Sequence, residues 1–247
     1  MRRAHLFVTC LVDRVAPEVG EAVVAVLERQ GVTISVPAGQ TCCGQPAFNG
    51  GFVDEARAMA RHTIAVFEGD DDPIVIPSGS CGDMVRHHYP KLFDDEPEWR
   101  ARAERFAARV YEFTEFLVDV LGVTDVGARF DGRLTYHSSC HLLRNMRVAS
   151  QPHALLAAVQ GAEIVALPHA EECCGFGGLF SVKFPEISED MLAHKLRHAD
   201  QTKADRVVGC DLSCLMHING GYHRRGDAPR AVHIAQILAG TATDPGP

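Results

Sequence analysis

The residues of this chain best suited to chemistry are its cysteines, and two pairs of them are adjacent: Cys42 and Cys43 in "TCCGQPAFNGG", and Cys173 and Cys174 in "EECCGFGGLF". Neighbouring cysteines rarely bond to each other, because the small ring they close is strained. They also lack the Cys-x-x-Cys spacing of zinc knuckles and redox dithiols. Thiolate-rich sites select soft metals: zinc, copper(I) or iron–sulfur clusters. Adjacent thiolates point in divergent directions, which suits several irons, each taking a different sulfur, better than one ion. Zinc, with four ligands around a single centre, is the weaker fit. Glycines follow both pairs (Gly44, then Gly175, Gly177 and Gly178), so backbone can approach an inorganic core and offer it N–H groups.

The other cysteines keep the same register. Cys10 and Cys140 lie 130 residues apart, the pairs 131 apart, and Cys81 and Cys214 133 apart. Sites recurring in one order at nearly one offset mark an internal duplication. Cys210 alone has no counterpart; the matching position is Pro77. A single free cysteine is often a small buried hydrophobe, but eight in duplicated register read as ligands. His137, His141 and His169 flank these sites, and spacing does not choose between ligand, proton donor and hydrogen-bond donor to a ligand. His194 and His198, four apart on an expected helix, read as a solvated face with Lys195 and Arg197 before they read as a metal pair. The "GFGG" run lacks both the lysine of a phosphate loop and the spacing of a dinucleotide fingerprint.

The elements that must position these residues also come twice. "HLFVTC", "VTISVP" and "PIVIPSGSC" read as strands, separated by helices in "PEVGEAVVAVLERQG" and "GFVDEARAMARHTIAVFEG". The second half repeats the order: "RLTYHSSC", a helix near "PHALLAAVQG", "EIVALP", a helix near "ISEDMLAHKLRHADQTKA", then "RVVGCDLSC". "RVYEFTEFLVDVLG" and "AVHIAQILAG" close the halves with a fourth strand or helix. Alternating strands and helices predict parallel-sheet α/β units, and each cysteine site falls at or just after a strand's C-terminal end, the edge where such sheets bind ligands. The expected architecture is two tandem, pseudo-twofold-related α/β domains, residues 1–127 and 128–247. Each has a mostly parallel sheet and cysteine loops at its C-terminal strand edge, with "DVGARFDG" (125–132) as the linker.

Composition narrows the function classes. The 247 residues suffice for one large core or two small ones. A net charge of −8 without a basic stripe argues against nucleic acid. Apolar runs such as "TIAVF" are far too short to span a membrane, and "MRRAHLFVTC" meets Asp13 and Arg14 too soon for an export signal, so a cytoplasmic protein is expected. There, nine cysteines do not form a disulfide framework; metal ligation and redox chemistry remain.

The doubled Cys…CCG…Cys arrangement resembles the cysteine-rich CCG domain of heterodisulfide reductases and of glycolate oxidase iron–sulfur proteins. More closely, "FVTCLVD", "TCCGQPAFNGG", "DDPIVIPSGSCGDMV", "DEPEW", "YHSSCHLLR", "ECCGFGGLFSVKFPEIS" and "DLSCLMHINGG" resemble the lactate utilization protein A family across nearly the whole chain. The resemblance implies an iron–sulfur electron-transfer subunit of a cytoplasmic system that oxidises L-lactate to pyruvate and allows growth on lactate. Its partners would be a ferredoxin-like iron–sulfur subunit and a third small subunit. It implies Cys10, Cys42, Cys43 and Cys81, and Cys140, Cys173, Cys174 and Cys214, as cluster ligands, with Cys210 an optional fifth in the second half. Reductase relatives bind a non-cubane [4Fe-4S] cluster through five cysteines ending in C-x-x-C. Here the first half has four, and Cys210 and Cys214 are spaced C-x-x-x-C. A [4Fe-4S] cluster in each half, one in all, a non-cubane cluster in the second half, or zinc in one half all stay open. So do a zinc- or thiol-based scaffold or redox-regulatory role, and glycolate or another 2-hydroxy acid as substrate.

Overall fold

The computed structural model describes residues 2–228 and 230–242. The first half forms a parallel sheet from β1 (Arg2–Leu6), β2 (Val32–Ser35), β3 (Ile74–Ile76) and β4 (Val110–Glu112), in the order β2-β1-β3-β4. The second half repeats it with β5 (Arg129–Tyr136), β6 (Gln160–Val165), β7 (Arg206–Gly209) and β8 (Ala231–His233), in the order β6-β5-β7-β8. Every residue of β3 and of β7 is buried, as expected of inner strands covered on both faces. The crossover helices form where apolar residues recur at helical spacing. Pro17–Arg29 starts on a proline and buries Val19, Val23, Val26 and Leu27. Among the described residues no helix is long and apolar enough to cross a membrane.

The core departs from two self-sufficient halves. One apolar cluster lies within the first half around Phe7, Phe67, Tyr89 and Phe106, and another within the second around Leu192, Leu196 and Tyr222. The largest cluster runs through both, joining Leu6, Val23 and Phe116 to Leu134, Leu155 and Ile237. The reason is an exchange. Helix Ile234–Ala239, which follows β8, packs on Pro17–Arg29 of the first half, and the turns after β4 (Phe113–Val120) pack on Ser150–Ala157 of the second.

Two sequence expectations shift, and one element is added. The strands of "HLFVTC" and "RLTYHSSC" end at Leu6 and Tyr136, so Cys10 and Cys140 instead begin helical turns. Residues 129–132 of the expected linker belong to β5, because Arg129 and Gly132 pair with Gln160 and Ala162 of β6. The first half also inserts helix Pro97–Ala107, after a long helix from Gly79 to Leu92 that carries a π-turn at Met84–His88.

Candidate metal centre

The C-terminal edges of the two sheets face one another across a cavity of about 250 Å³. Its walls carry Cys10, Cys42, Cys43 and Cys81 from the first half and Cys140, Cys173, Cys174 and Cys214 from the second. All are free thiols. Within each half the thiols influence one another in the same order: Cys10 beside Cys42, Cys42 beside Cys43 and Cys43 beside Cys81, and likewise Cys140, Cys173, Cys174 and Cys214. Hydrogen bonds from Cys10 and Cys43 hold Cys42 well below the usual thiol range, and those from Cys140 and Cys174 do the same to Cys173. The donors Cys10, Cys43, Cys140 and Cys174 are pushed up by the same bonds, with burial adding to the shift. The Cys214 thiol is lowered to about 6, first by Cys174 and, against the cost of burial, by the neighbouring His137. Four cysteines of each half line one wall of the cavity, Cys42 in the first and Cys173 and Cys214 in the second favouring the thiolate, and form a soft donor set from which a metal displaces the remaining protons. The set fits an iron–sulfur group in either half.

The loops that hold these sulfurs are fixed by backbone geometry and by side chains from both halves. Ser78 caps the helix that carries Cys81, its hydroxyl accepting from the Cys81 N–H at 3.3 Å. Asp211 caps the helix that carries Cys214, accepting from the Ser213 N–H and hydroxyl at 3.2 and 2.5 Å. The other oxygen of Asp211 reaches across and accepts from Ser78 Oγ at 3.2 Å and from the Ser80 N–H at 2.8 Å. One buried carboxylate thus ties both sites together. Nearby, a Cβ on Gly79 would lie 2.6 Å from the Leu142 Cβ, so the helical turns after Cys140 cross those holding Cys81 where a glycine permits it. Asp83, on that helix, accepts from Asn145 Nδ2 at 2.7 Å. Burial opposes its ionisation, but hydrogen bonds from His88, Asn145 and His87 outweigh it and hold the carboxyl down to about 2. Gly175 (φ 94°) sends its N–H to Cys173 Sγ at 3.4 Å. In the first half Gln40 spans the loop mouths, accepting from the Val8 N–H at 2.9 Å and donating to the Leu6 carbonyl at 2.8 Å.

The structure does not bring Cys210 to the cavity. Its side chain points into the shared core and is fully buried, with Sγ 3.4 Å from Tyr136 Oη. Burial raises its thiol well above the usual range. His137 and His141 do reach the site. The buried His137 ring has a nitrogen within 4.8 Å of both Cys174 and Cys214 sulfurs, and His141 Nδ1 is 3.6 Å from Cys140 Sγ. His169 lies outside the cavity wall and stacks on His198, with ring centroids 4.6 Å apart. His194 is exposed, but the solvated-face reading fails for Lys195. That side chain is buried, donates to the His169 carbonyl at 2.9 Å, and is lowered by desolvation.

Sequence reasoning missed Ser78, Asp83 and Asp211. A signal existed for two of them: "SGSC" and "DLSC" both place an N-cap residue three before the cysteine, at the shared offset of 133. Asp83, bonded across the halves, left none.

The cysteine-rich domain family, CCG, matches residues 4–86 and 134–219. Lactate utilization protein A of Anoxybacillus flavithermus is 51% identical over 233 residues, covering 94% of this chain and 97% of its own. The protein of that name from Geobacillus kaustophilus is 49% identical over 236 residues, covering 96% and 98%. A hypothetical protein from Helicobacter pylori shares the fold, with a TM-score of 0.61 at 10% identity, over 98% of this chain and 49% of its own.

Proposed function

Because the chain belongs to the lactate utilization protein A family and carries two copies of its cysteine-rich domain, we propose that it is the iron–sulfur electron-transfer subunit of a cytoplasmic system oxidising L-lactate to pyruvate. The domains would divide at residues 127 and 128. The observation that carries the reading is the convergence of eight free cysteines, four from each half, on one cavity. Cys10, Cys42, Cys43 and Cys81 would hold one [4Fe-4S] group, and Cys140, Cys173, Cys174 and Cys214 another. Cys210 stays with the core. When bound, such a group accepts and releases single electrons.

The chain's own residues have definable parts. Eight thiolates would hold the groups, and the Gly175 N–H lies where it can donate to sulfur. Asp211 and Ser78 keep the two cysteine-bearing helices in fixed relation. With no dinucleotide fingerprint in the sequence, the chain would depend on an iron–sulfur ferredoxin-like subunit and a third small subunit for turnover.

The test is iron, acid-labile sulfide and zinc content on anaerobically purified protein, with electron paramagnetic resonance before and after dithionite. About four irons and four sulfides per occupied half, with a redox-dependent signal, support the reading. Zinc without iron after reconstitution overturns it. A second reading, zinc in the second half, has the His137, Cys174 and Cys214 triplet in its favour. The same metal analysis decides between the two.

A further inference from the structure

The two sites share a backbone but not all their neighbours. The N–H of Phe7 donates to the Val75 carbonyl at 2.9 Å, and that of His137 to the Val208 carbonyl at 2.8 Å. Val75 and Val208 are the same position of the repeat, so Phe7 and His137 are equivalent residues one step past β1 and β5. Phe7 packs on Phe67 at 5.5 Å in the apolar cluster that contains Cys43. His137 instead brings two nitrogens into an equally dry place, where it is 1% exposed. Neither nitrogen meets an oxygen or nitrogen partner at hydrogen-bond geometry, and the groups that face the ring include the Cys214 thiol. Orphaned buried polar atoms are destabilising, so a chain retains them where something else satisfies them. Here the Cys174 and Cys214 sulfurs lie within 4.8 Å of a ring nitrogen.

We infer that His137 makes the two metal sites inequivalent: its ring N–H donates to sulfur of the group held by Cys174 and Cys214 and raises the reduction potential of the second site above that of the first. The inference rests on the cluster reading above. A histidine bonded directly to metal usually donates its other N–H to an acceptor that orients the ring. His137 has no such acceptor, which favours the donor role. A donor to sulfur stabilises the more negative, reduced form, so the second site becomes the easier to reduce. Phe7 gives the first site no such bond. Two sites in one cavity at different potentials give an electron a preferred direction, from the first half to the second. His137 is a positioning residue in this scheme; it touches the sulfur shell and leaves the ligand set unchanged.

The test uses the full chain, purified anaerobically, in a dithionite titration followed by electron paramagnetic resonance, with nitrogen hyperfine spectra of the reduced state. Wild type is expected to show two midpoint potentials and a weak nitrogen coupling on one signal. His137→Phe installs the first-half residue; it should shift the higher potential down toward the lower, remove that coupling and leave iron content unchanged. His137→Gln keeps an N–H and should hold the potential nearer to wild type; if the Phe variant does not fold, His137→Leu, which also lacks the donor, takes its place. Potentials identical to wild type in the folded Phe or Leu variant overturn the inference. So does a strong coupling of the kind a directly bonded nitrogen gives. Wild type without iron overturns the cluster reading itself, a result distinguishable from an iron-loaded protein indifferent to His137.

Discussion

The first-half and second-half sites are built from the same strand–loop–helix plan, yet they are stabilised differently. The first is stitched locally. Gln40 bonds across its loop mouths and Tyr89 donates to the Cys43 carbonyl at 2.8 Å. The second is wedged. Gly175 threads between the Cys173 sulfur and helix Pro185–Thr202, and the Ser188 hydroxyl donates to the Gly175 carbonyl at 2.8 Å. Its helix cap, Asp211, also serves the first half through Ser78 and Ser80. Duplication preserved the positions of the sulfurs while the surroundings diverged, so the surroundings are where the sites can acquire separate properties.

The strongest way to break this comparison is to remove one site at a time. Cys42→Ser with Cys43→Ser, or Cys173→Ser with Cys174→Ser, should each delete about four irons per chain and leave the other half's signal. Metal analysis on protein whose circular dichroism is unchanged reads this directly. Loss of all iron from either pair would mean one shared group.

The next contrast concerns the fourth strands. Glu112 and His233 end β4 and β8, and each closes a capping box on the helix that follows. Both are fully buried. Burial raises Glu112 from 4.5 to about 8 and lowers His233 from 6.5 to about 4, so both are neutral in the folded chain near neutral pH. The signs are opposite. Folded Glu112 keeps a proton that the unfolded chain releases, so its effect is a loss of stability as pH rises from 4.5 to about 8. His233 stays neutral while the unfolded chain protonates, so stability is lost as pH falls from 6.5 to about 4. Glu112→Gln should flatten the alkaline side, with a gain on the order of a few kcal/mol there. His233→Gln should flatten the acid side. Urea unfolding across this range measures both, and parallel curves for wild type and variants would contradict the assignment.

Smaller differences are expected at the glycines and at Gln40. A Cβ on Gly175 would sit 2.5 Å from the Ser188 carbonyl oxygen, against 3.3 Å to the Met59 Cβ for one on Gly44. Both have positive φ, so Gly175→Ala should cost about 3 kcal/mol and Gly44→Ala about 1–2 kcal/mol in denaturant unfolding. Equal costs would mean that the second-half loop is no more tightly wedged than the first. Gln40→Ala should cost about 1 kcal/mol, and thermal melts of metal-free protein suffice to detect it.

Much of this was legible in the sequence, for definable reasons. Strand–helix alternation gave the parallel sheets because buried inner strands such as "IVI" and "RVVG" are short and nearly all apolar. The cysteine register gave eight cavity residues because duplication preserves spacing. Periodicity could not tell that Cys210 faces the core. It lies one residue past β7, and whether it turned to the cavity or to Tyr136 depended on the sheet's packing across the halves. Lys195 is a similar case: its charge suggested solvent, but the His169 carbonyl, 26 residues away, receives it in a buried place. Long-range polar bonds such as Asp211 to Ser80, or Asn145 to Asp83, leave no local pattern for a sequence reading to find.

The exchange of closing helices has a consequence for assembly. Each half covers the first crossover helix of the other, which is the reciprocal contact of an isologous dimer. The segment near residues 121–128 then acts as a tether that turns a pairing of two bodies into an intramolecular event at high effective concentration. Nicking it should leave two fragments that stay associated. Because the cavity is a seam between them, any opening of that seam would expose both sets of thiols to oxidant in the same instant.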